Sequence, residues 1–487
     1  MHSHCEQVGL WVGLVVFLLT TVGNCQTHQP ELPNIVIVLV DDMGYGDPGC
    51  YNSASKISTP NIDALAKSGM KFTDAHAPGP LCHLSRYGLI TGKYPFRATP
   101  QKWRVEPSIR SGQLTLPCML KSKGYSTAMV GKWHLGFHQS GYDQPFKGGP
   151  VDIGFDSFFG IPASTDIPPY FYIRNDQAVQ APTLQVEERT SPGWTKIQGE
   201  FSRAGLTSPN LKLNDVLPRF TTEAISVIDR HRKENSAQPL FLYLAYPAPH
   251  TPWLPSAEFV GSSRASMYGD FCQMVDANVG KVLNSLQKNG MNENTMVIFT
   301  SDNGPVWYPD DVKRFQHDCS GGLRGMKADG WEGGHRMPFI VRWPAKTQPG
   351  SVSNQIICFT DLMATFAELV GYKIKNKTDL DSVSFLGVLL GMITESNPVR
   401  DYLVIAAGNG MKTIRKGQWK YLDGPGPGGF SRKHFKVGKN QTGGQLYNLK
   451  TDPGEQANLF DKWPDLVSEL KLEMDRIVQK NDQTNRE

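Results

Sequence analysis

The sequence predicts an α/β protein, with a large, mostly parallel mixed sheet sandwiched by helices and a smaller C-terminal α+β domain carrying an antiparallel sheet. Three observations lead there. Four continuous apolar, β-branched runs each end in a polar cluster, which is the pattern of strands buried on both faces. Helical periodicity fills the stretches between them. After about residue 350 the pattern gives way to short strands, a Gly/Pro excursion and one terminal amphipathic helix.

Taken in order, the runs are Ile35 to Val40 before Asp41-Asp42, Ser126 to Val130 before Gly131-Lys132-Trp133-His134, Leu240 to Leu244 ahead of Pro249-His250-Thr251-Pro252, and Met296 to Thr300 before Ser301-Asp302-Asn303-Gly304. Helices are predicted from Thr59-Pro60-Asn61-Ile62-Asp63, over Phe220 to Arg232 and over Ser266 to Gln287. In an open α/β sheet, ligands bind beyond the carboxyl ends of the parallel strands. Four strand ends carrying Asp, Lys, His and Asn are therefore expected to share one edge and one site. Ala181 to Asn214 is polar and irregular and reads as an insertion near the mouth of that site, with Tyr170-Phe171-Tyr172 beside it. Lys373 to Asp381 and Gly424 to Gly429 read as loops, Trp419 to Leu422 and Gln445 to Leu449 as strands, and Trp463 to Gln479 as a helix. The expected organisation is a signal peptide at 1–25, a catalytic α/β domain at 31–350 and the smaller domain at 351–487.

The chain has 487 residues, enough for a large core, with 39% apolar and 20% charged residues. Its formal charge of +4 is spread out, and the absence of a dense basic run argues against a nucleic-acid groove. Val8 to Val22 has the length of a signal-peptide apolar core, and Gly23-Asn24-Cys25 offers small residues for cleavage; an uncleaved anchor is the alternative. No later run is long enough to span a bilayer. Eight cysteines include two in the leader; of the remaining six most are expected to pair in an oxidising compartment, Cys319 among them. Asn376-Lys377-Thr378 and Asn440-Gln441-Thr442 are acceptor sequons consistent with secretion.

Asp41, Asp42, Asp302 and Asn303 are the clearest metal candidates. Three carboxylates and an amide oxygen from two strand ends make an all-oxygen set, which suits Ca²⁺, or next Mg²⁺, over Zn²⁺. Capping of a turn is the other reading of adjacent aspartates. Cys82 follows the structure-breaking Pro78-Gly79-Pro80 and opens a helical pattern with Arg86 four residues on. That spacing lets both meet one anion; a disulfide cysteine and a solvated arginine is the other reading. Lys132, His134 and His250 have surface, core and turn alternatives of the same kind.

Cys82-His83-Leu84-Ser85-Arg86 with Thr91-Gly92 strongly resembles the sulfatase signature Cys-x-Pro-Ser-Arg-x-x-x-x-Thr-Gly, with Leu84 in the proline position. The resemblance, of the arylsulfatase A type, continues in family order. It takes in Pro33 to Asp47, Thr59 to Asp63, Phe72 to Ala75, Gly131 to Gly136, Gly160 to Ser164, Pro249 to Pro252, Ser301 to Gly304, Leu323 to Lys327 and Tyr447 to Glu455.

The resemblance implies that a formylglycine-generating enzyme oxidises Cys82 to formylglycine in the secretory pathway, and that the product is secreted or lysosomal. It implies Ca²⁺ on Asp41, Asp42, Asp302, Asn303 and the modified Cys82, with catalysis by residue 82, Arg86, Lys132, His134, His250 and Lys327. Lys132, Ser164, His250 and Lys327 would bind substrate, a small-molecule or glycan sulfate ester. In the family a hydrated formylglycine attacks sulfur, displaces the alcohol and then expels sulfate, with His250 or Lys327 protonating the leaving oxygen. Leu84 lacks the extended bias that proline gives the unfolded segment the modifying enzyme reads. The competing readings are a secreted protein that binds sulfated glycans without cleaving them, and a phosphoester or phosphonate hydrolase on the same scaffold.

Overall fold

The computed structural model describes Met1 and residues 32–98, 103–104, 106–235, 237–376, 380–435 and 443–480. The predicted leader, apart from Met1, lies outside these residues, as do the second sequon and the last two positions of the first. Leu32–Glu487 forms one compact unit. Its strands in chain order are β1 (Asn34–Asp41), β2 (Met70–His76), β3 (Ser126–Lys132), β4 (Ser157–Ile161), β5 (Ile173–Arg174), β6 (Gln177–Ala178), β7 (Leu184–Val186), β8 (Gly205–Thr207), β9 (Leu240–Pro249), β10 (Thr295–Ser301), β11 (Arg336–Arg342), β12 (Ser351–Ser353) and β13 (Ile357–Cys358). A second group follows: β14 (Tyr402–Ala406), β15 (Lys412–Lys416), β16 (Trp419–Leu422) and β17 (Gln445–Asn448).

The large sheet has the order β12-β2-β11-β10-β1-β9-β3-β4-β5-β6, with β13 also on β2. Its centre is parallel: β1 pairs with β10 and β9, and β9 with β3. The continuous apolar runs are explained by this position. In β1, Ile35, Ile37 and Leu39 enter the core on one face, and Val36, Val38 and Val40 enter the core on the other. With both faces dry, alternation disappears from the sequence. Helices Pro60–Lys67, Val216–Glu234 and Ser266–Lys288 cover the valine face. Helices Cys82–Thr91, Leu116–Lys121 and Asp361–Leu369 cover the other. Truncating a side chain such as Ile37 to alanine would cost about 2–5 kcal/mol.

Because β1, β3, β9 and β10 run parallel, their carboxyl ends meet at one edge, as expected. Gly131 shows how close two of these strands are: a Cβ there would stand 1.9 Å from the Ala245 carbonyl oxygen, at a φ of +120°. The antiparallel sheet β14-β15-β16-β17 and the helix Pro464–Gln479 form the last part, again as expected. The segment Ala181 to Asn214 is less irregular than expected, since β7 and β8 pair as a small antiparallel ribbon. Tyr172 is buried against Phe159 and Phe220, so it belongs to the core and not to the site mouth. Phe171 does line a cavity of about 500 Å³, beside Trp103 and Phe137. Among the described residues no helix is long and apolar enough to cross a membrane.

The six cysteines from Cys50 to Cys358 are all unpaired, which corrects the expectation of disulfides. Cys319 is fully buried at the margin of the valine-face core, beside the Asp47 carboxylate and His317.

Candidate active site

Each strand end delivers its side chain through a local device. Asp42 and His134 stand one and two residues beyond β1 and β3 with positive φ, 65° and 60°, a backbone state that non-glycine residues rarely adopt. The Cys82–Thr91 helix starts at the nucleophile candidate and stops at Gly92, which caps it in the left-handed conformation (φ 68°) while its N–H bonds to the Gly88 carbonyl. The Thr-Gly pair of the signature is thereby a helix stop. Leu84 sits in the first helical turn, where leucine and proline both fit. It packs on Gly79, whose Cβ, if present, would come within 2.8 Å of Leu84 Cβ.

The predicted residues meet. Cys82 Sγ lies 3.2 Å from Asp41 Oδ1. Arg86 bonds Asp302 Oδ2 through Nε (3.1 Å) and Nη2 (2.7 Å), and the Lys132 carbonyl through Nη1 (2.9 Å). Lys132 Nζ donates to Asp41 Oδ2 and, at 2.5 Å, to Ser164 Oγ. Lys327 Nζ and Asn303 Nδ2 both donate to Asp42 Oδ1 at 2.6 Å. His250 donates from Nδ1 to the Thr251 carbonyl (2.6 Å), which leaves Nε2 facing Asp42 Oδ2 at 3.6 Å. His134 stands apart from these bonds. Both its ring nitrogens are buried without a partner among the described residues, and its ring meets Trp103 edge-on at 4.2 Å.

Electrostatics follow from the burial. Burial alone would raise the Asp41 carboxyl, but Lys132, His250, Arg86 and Lys327 together hold it far below the usual carboxylate range. Asp302 is pushed up to about 6 by burial and by Asp41, with Arg86 opposing. Burial, then Asp302 and Asp41, raise the Cys82 thiol well above its ordinary value, so the cysteine itself is a neutral, poor nucleophile. Burial and Lys132 keep the His134 imidazole neutral. Three carboxylates face three cations, Arg86, Lys132 and Lys327.

The cluster offers a donor set that could hold a metal ion. Ligand atoms of Asp41, Asp42, Cys82 and His250 lie within 4.8 Å of one another, and Asn303 Oδ1 is buried with no hydrogen-bond partner among the described residues. Adding two positive charges to a formally balanced cluster would also favour an anionic substrate.

Sequence reasoning missed Asp166, which is buried two residues beyond Ser164 and 3.8 Å from His250 Nδ1. Its nearness to Ser164 was the available signal. His335 does not reach this site. It bonds His76 Nδ1 (3.0 Å) and the Gly330 carbonyl (3.2 Å), inside a separate buried network around Lys420.

The sulfatase family profile matches residues 33–372, and the chain belongs to the sulfatases, enzymes that hydrolyse sulfate esters. Among relatives, an N-acetylgalactosamine-6-O-sulfatase of Bacteroides thetaiotaomicron is 34% identical over 91% of this chain and 92% of its own. Human arylsulfatase A is 31% identical over 91% of this chain and 86% of its own. A solved structure from work on the metabolism of multiple glycosaminoglycans by Bacteroides thetaiotaomicron superposes with a TM-score of 0.81 at 32% identity, covering 92% of this chain and 99% of the other.

Proposed function

We propose that the protein is a formylglycine- and calcium-dependent sulfatase whose substrate is a 6-sulfated N-acetylgalactosamine unit of a sulfated glycan. One observation carries the catalytic part. Cys82 opens its helix 3.2 Å from Asp41 Oδ1 and within ligand distance of the Asp41, Asp42 and His250 cluster, at the signature position that carries formylglycine in the family, and this supports a converted residue there. Similarity to an N-acetylgalactosamine-6-O-sulfatase over nearly both full lengths supports the substrate class.

Formylglycine at position 82 and a hard divalent ion would supply the nucleophile and the Lewis acid. Asp41, Asp42, Asp302 and Asn303 would hold the ion together with residue 82. Arg86 fixes Asp302 by two bonds and stands beside residue 82 on the same helix face. Lys132, braced by Ser164, and Lys327 neutralise the sulfate oxygens, and the unpartnered His134 imidazole donates a further hydrogen bond. His250 delivers a proton from Nε2 to the leaving oxygen, with Lys327 the other candidate. Maturation would take place in the secretory pathway, with a formylglycine-generating enzyme as partner and a secreted or lysosomal product.

Sulfate release from 6-sulfated N-acetylgalactosamine, its 4-sulfated isomer, an aryl sulfate and an aryl phosphate tests the proposal. Preferential release from the 6-sulfated sugar is expected. Preference for the phosphate, or no release from any sulfate ester, overturns it.

A further inference from the structure

Asp166 is 3% exposed and is held from one side only. Its Oδ2 pairs with Arg203, and its carbonyl accepts from Arg203 N and Arg203 Nη1, both at 3.2 Å. Its other carboxylate oxygen, Oδ1, is buried without a hydrogen-bond partner among the described residues, a costly state for a charged acceptor. That free oxygen faces His250 Nδ1 at 3.8 Å, which is beyond hydrogen-bond range but well within the reach of charge.

The surrounding bonds lock the three loops involved. The Thr251 hydroxyl donates to the Gly199 carbonyl at 2.8 Å, Trp253 N donates to the same carbonyl at 2.8 Å, and the Tyr170 hydroxyl donates to the Arg203 carbonyl at 2.8 Å. The segment 181–214 thus reaches the imidazole by way of Arg203 and Asp166. Since the Thr251 carbonyl can only accept, His250 Nδ1 carries hydrogen. A ring displacement of about 1 Å would exchange that carbonyl for Asp166 Oδ1.

We infer that Asp166 is a positioning residue for His250. Its carboxylate holds the Nδ1 edge of the ring, so that Nε2 stays aimed into the cluster, and Arg203 fixes the carboxylate in turn. The inference rests on the reading of His250 as donor to the leaving oxygen. As the sulfur–oxygen bond breaks, the proton moves from Nε2 of the doubly protonated ring to the departing alkoxide, leaving a neutral ring that keeps its Nδ1 hydrogen.

The test compares wild type, Asp166→Asn and Arg203→Met on two esters. One is the sugar sulfate, whose alcohol leaves badly without a proton; the other is an aryl sulfate of an acidic phenol, which leaves without help. In Asp166→Asn, kcat on the sugar ester is expected to fall on the order of tenfold to a hundredfold while kcat on the aryl ester and both KM values hardly move. Arg203→Met should show a weaker effect of the same kind. Equal loss on both esters, or no loss, overturns the assignment. In protein with ¹⁵N-labelled histidine, the His250 Nδ1 resonance is expected to shift in Asp166→Asn, and an unmoved resonance overturns it as well. Should wild type cleave neither ester, the functional reading fails while the resonance still decides the positioning claim.

Discussion

Lys420 on β16 is fully buried, and its ammonium lies 2.9 Å from both Glu332 Oε1 and Glu455 Oε1. Replacing it by methionine keeps the volume and leaves two buried carboxylates facing each other. Glu332 retains Arg415 at 3.2 Å and Arg336 at 3.4 Å. Among the described residues Glu455 keeps the Glu332 backbone N–H, at 2.7 Å, as its remaining side-chain partner, so it is the group left without compensation. Breaking a buried pair from one side costs about 3–5 kcal/mol. With an unfolding entropy of about 2.1 cal/mol/K per residue, a unit of about 450 residues should lose about 3–5 °C in Tm. Burial already pushes the Glu455 carboxyl up to about 7, with Lys420 opposing and Glu332 adding to the rise. In Lys420→Met it should keep its proton to higher pH, so the loss at pH 5 is expected to be smaller than at pH 7.5 by up to about 0.8 kcal/mol. Adding Glu455→Gln should recover most of the deficit at pH 7.5. Scanning calorimetry at both pH values is the assay. A loss below about 1 kcal/mol at pH 7.5, or one equal at both pH values, would refute the reasoning.

Further outcomes follow from the same structure. Wild-type stability should peak near pH 5, because Asp329 and Glu455 have folded values of about 6 and about 7, above their unfolded ones; their contribution is complete below the unfolded values and lost as pH rises through the folded ones. At the acid end, Asp74 and Glu332 are depressed despite burial, by Arg336 with Arg415 and by Lys420 with Arg415; their contribution is lost as pH falls through their folded values. A Tm no lower at pH 8 than at pH 5 would contradict this. Saturating Ca²⁺ at about a hundred times Kd should stabilise the protein by about 2.7 kcal/mol. Asn303→Ala should weaken that shift, and absence of any shift with Ca²⁺ or Mg²⁺ in wild type would exclude the ion site. Cys82→Ala should lower sulfate ester hydrolysis by at least about 10⁴-fold with Tm hardly changed.

The central strands were legible because the two-faced burial of β1, β3, β9 and β10 removes polar residues from whole runs, and their shared direction makes the site edge deducible. Strands β2 and β11 were not read: in β2 Lys71, Thr73 and Asp74 interrupt the pattern, and in β11 Pro338 breaks a short run that is buried on both faces. The buried network of Asp74, Glu332, Arg415, Lys420 and Glu455 was equally hidden, because charges far apart in sequence look solvated until the fold stacks β15 and β16 against β2 and the 332–335 turn. Asp166 was missed for a related reason: its meaning depends on Arg203 and His250, which the fold brings in from two other loops. Tyr172 looked like part of a site mouth from its polar neighbourhood, yet its ring completes the aromatic cluster with Phe159 and Phe220.

The account stands on what residue 82 becomes. The first helical turn accommodates Leu84, so the folded state puts no obstacle there, and the decision belongs to the unfolded segment during maturation. Mass spectrometry of the peptide containing position 82, from protein made in a secretory system, measures it directly. Formylglycine in place of cysteine, in proportion to sulfate ester hydrolysis across preparations, is the result expected. An unmodified thiol in a preparation that hydrolyses sulfate esters at full rate would contradict the account.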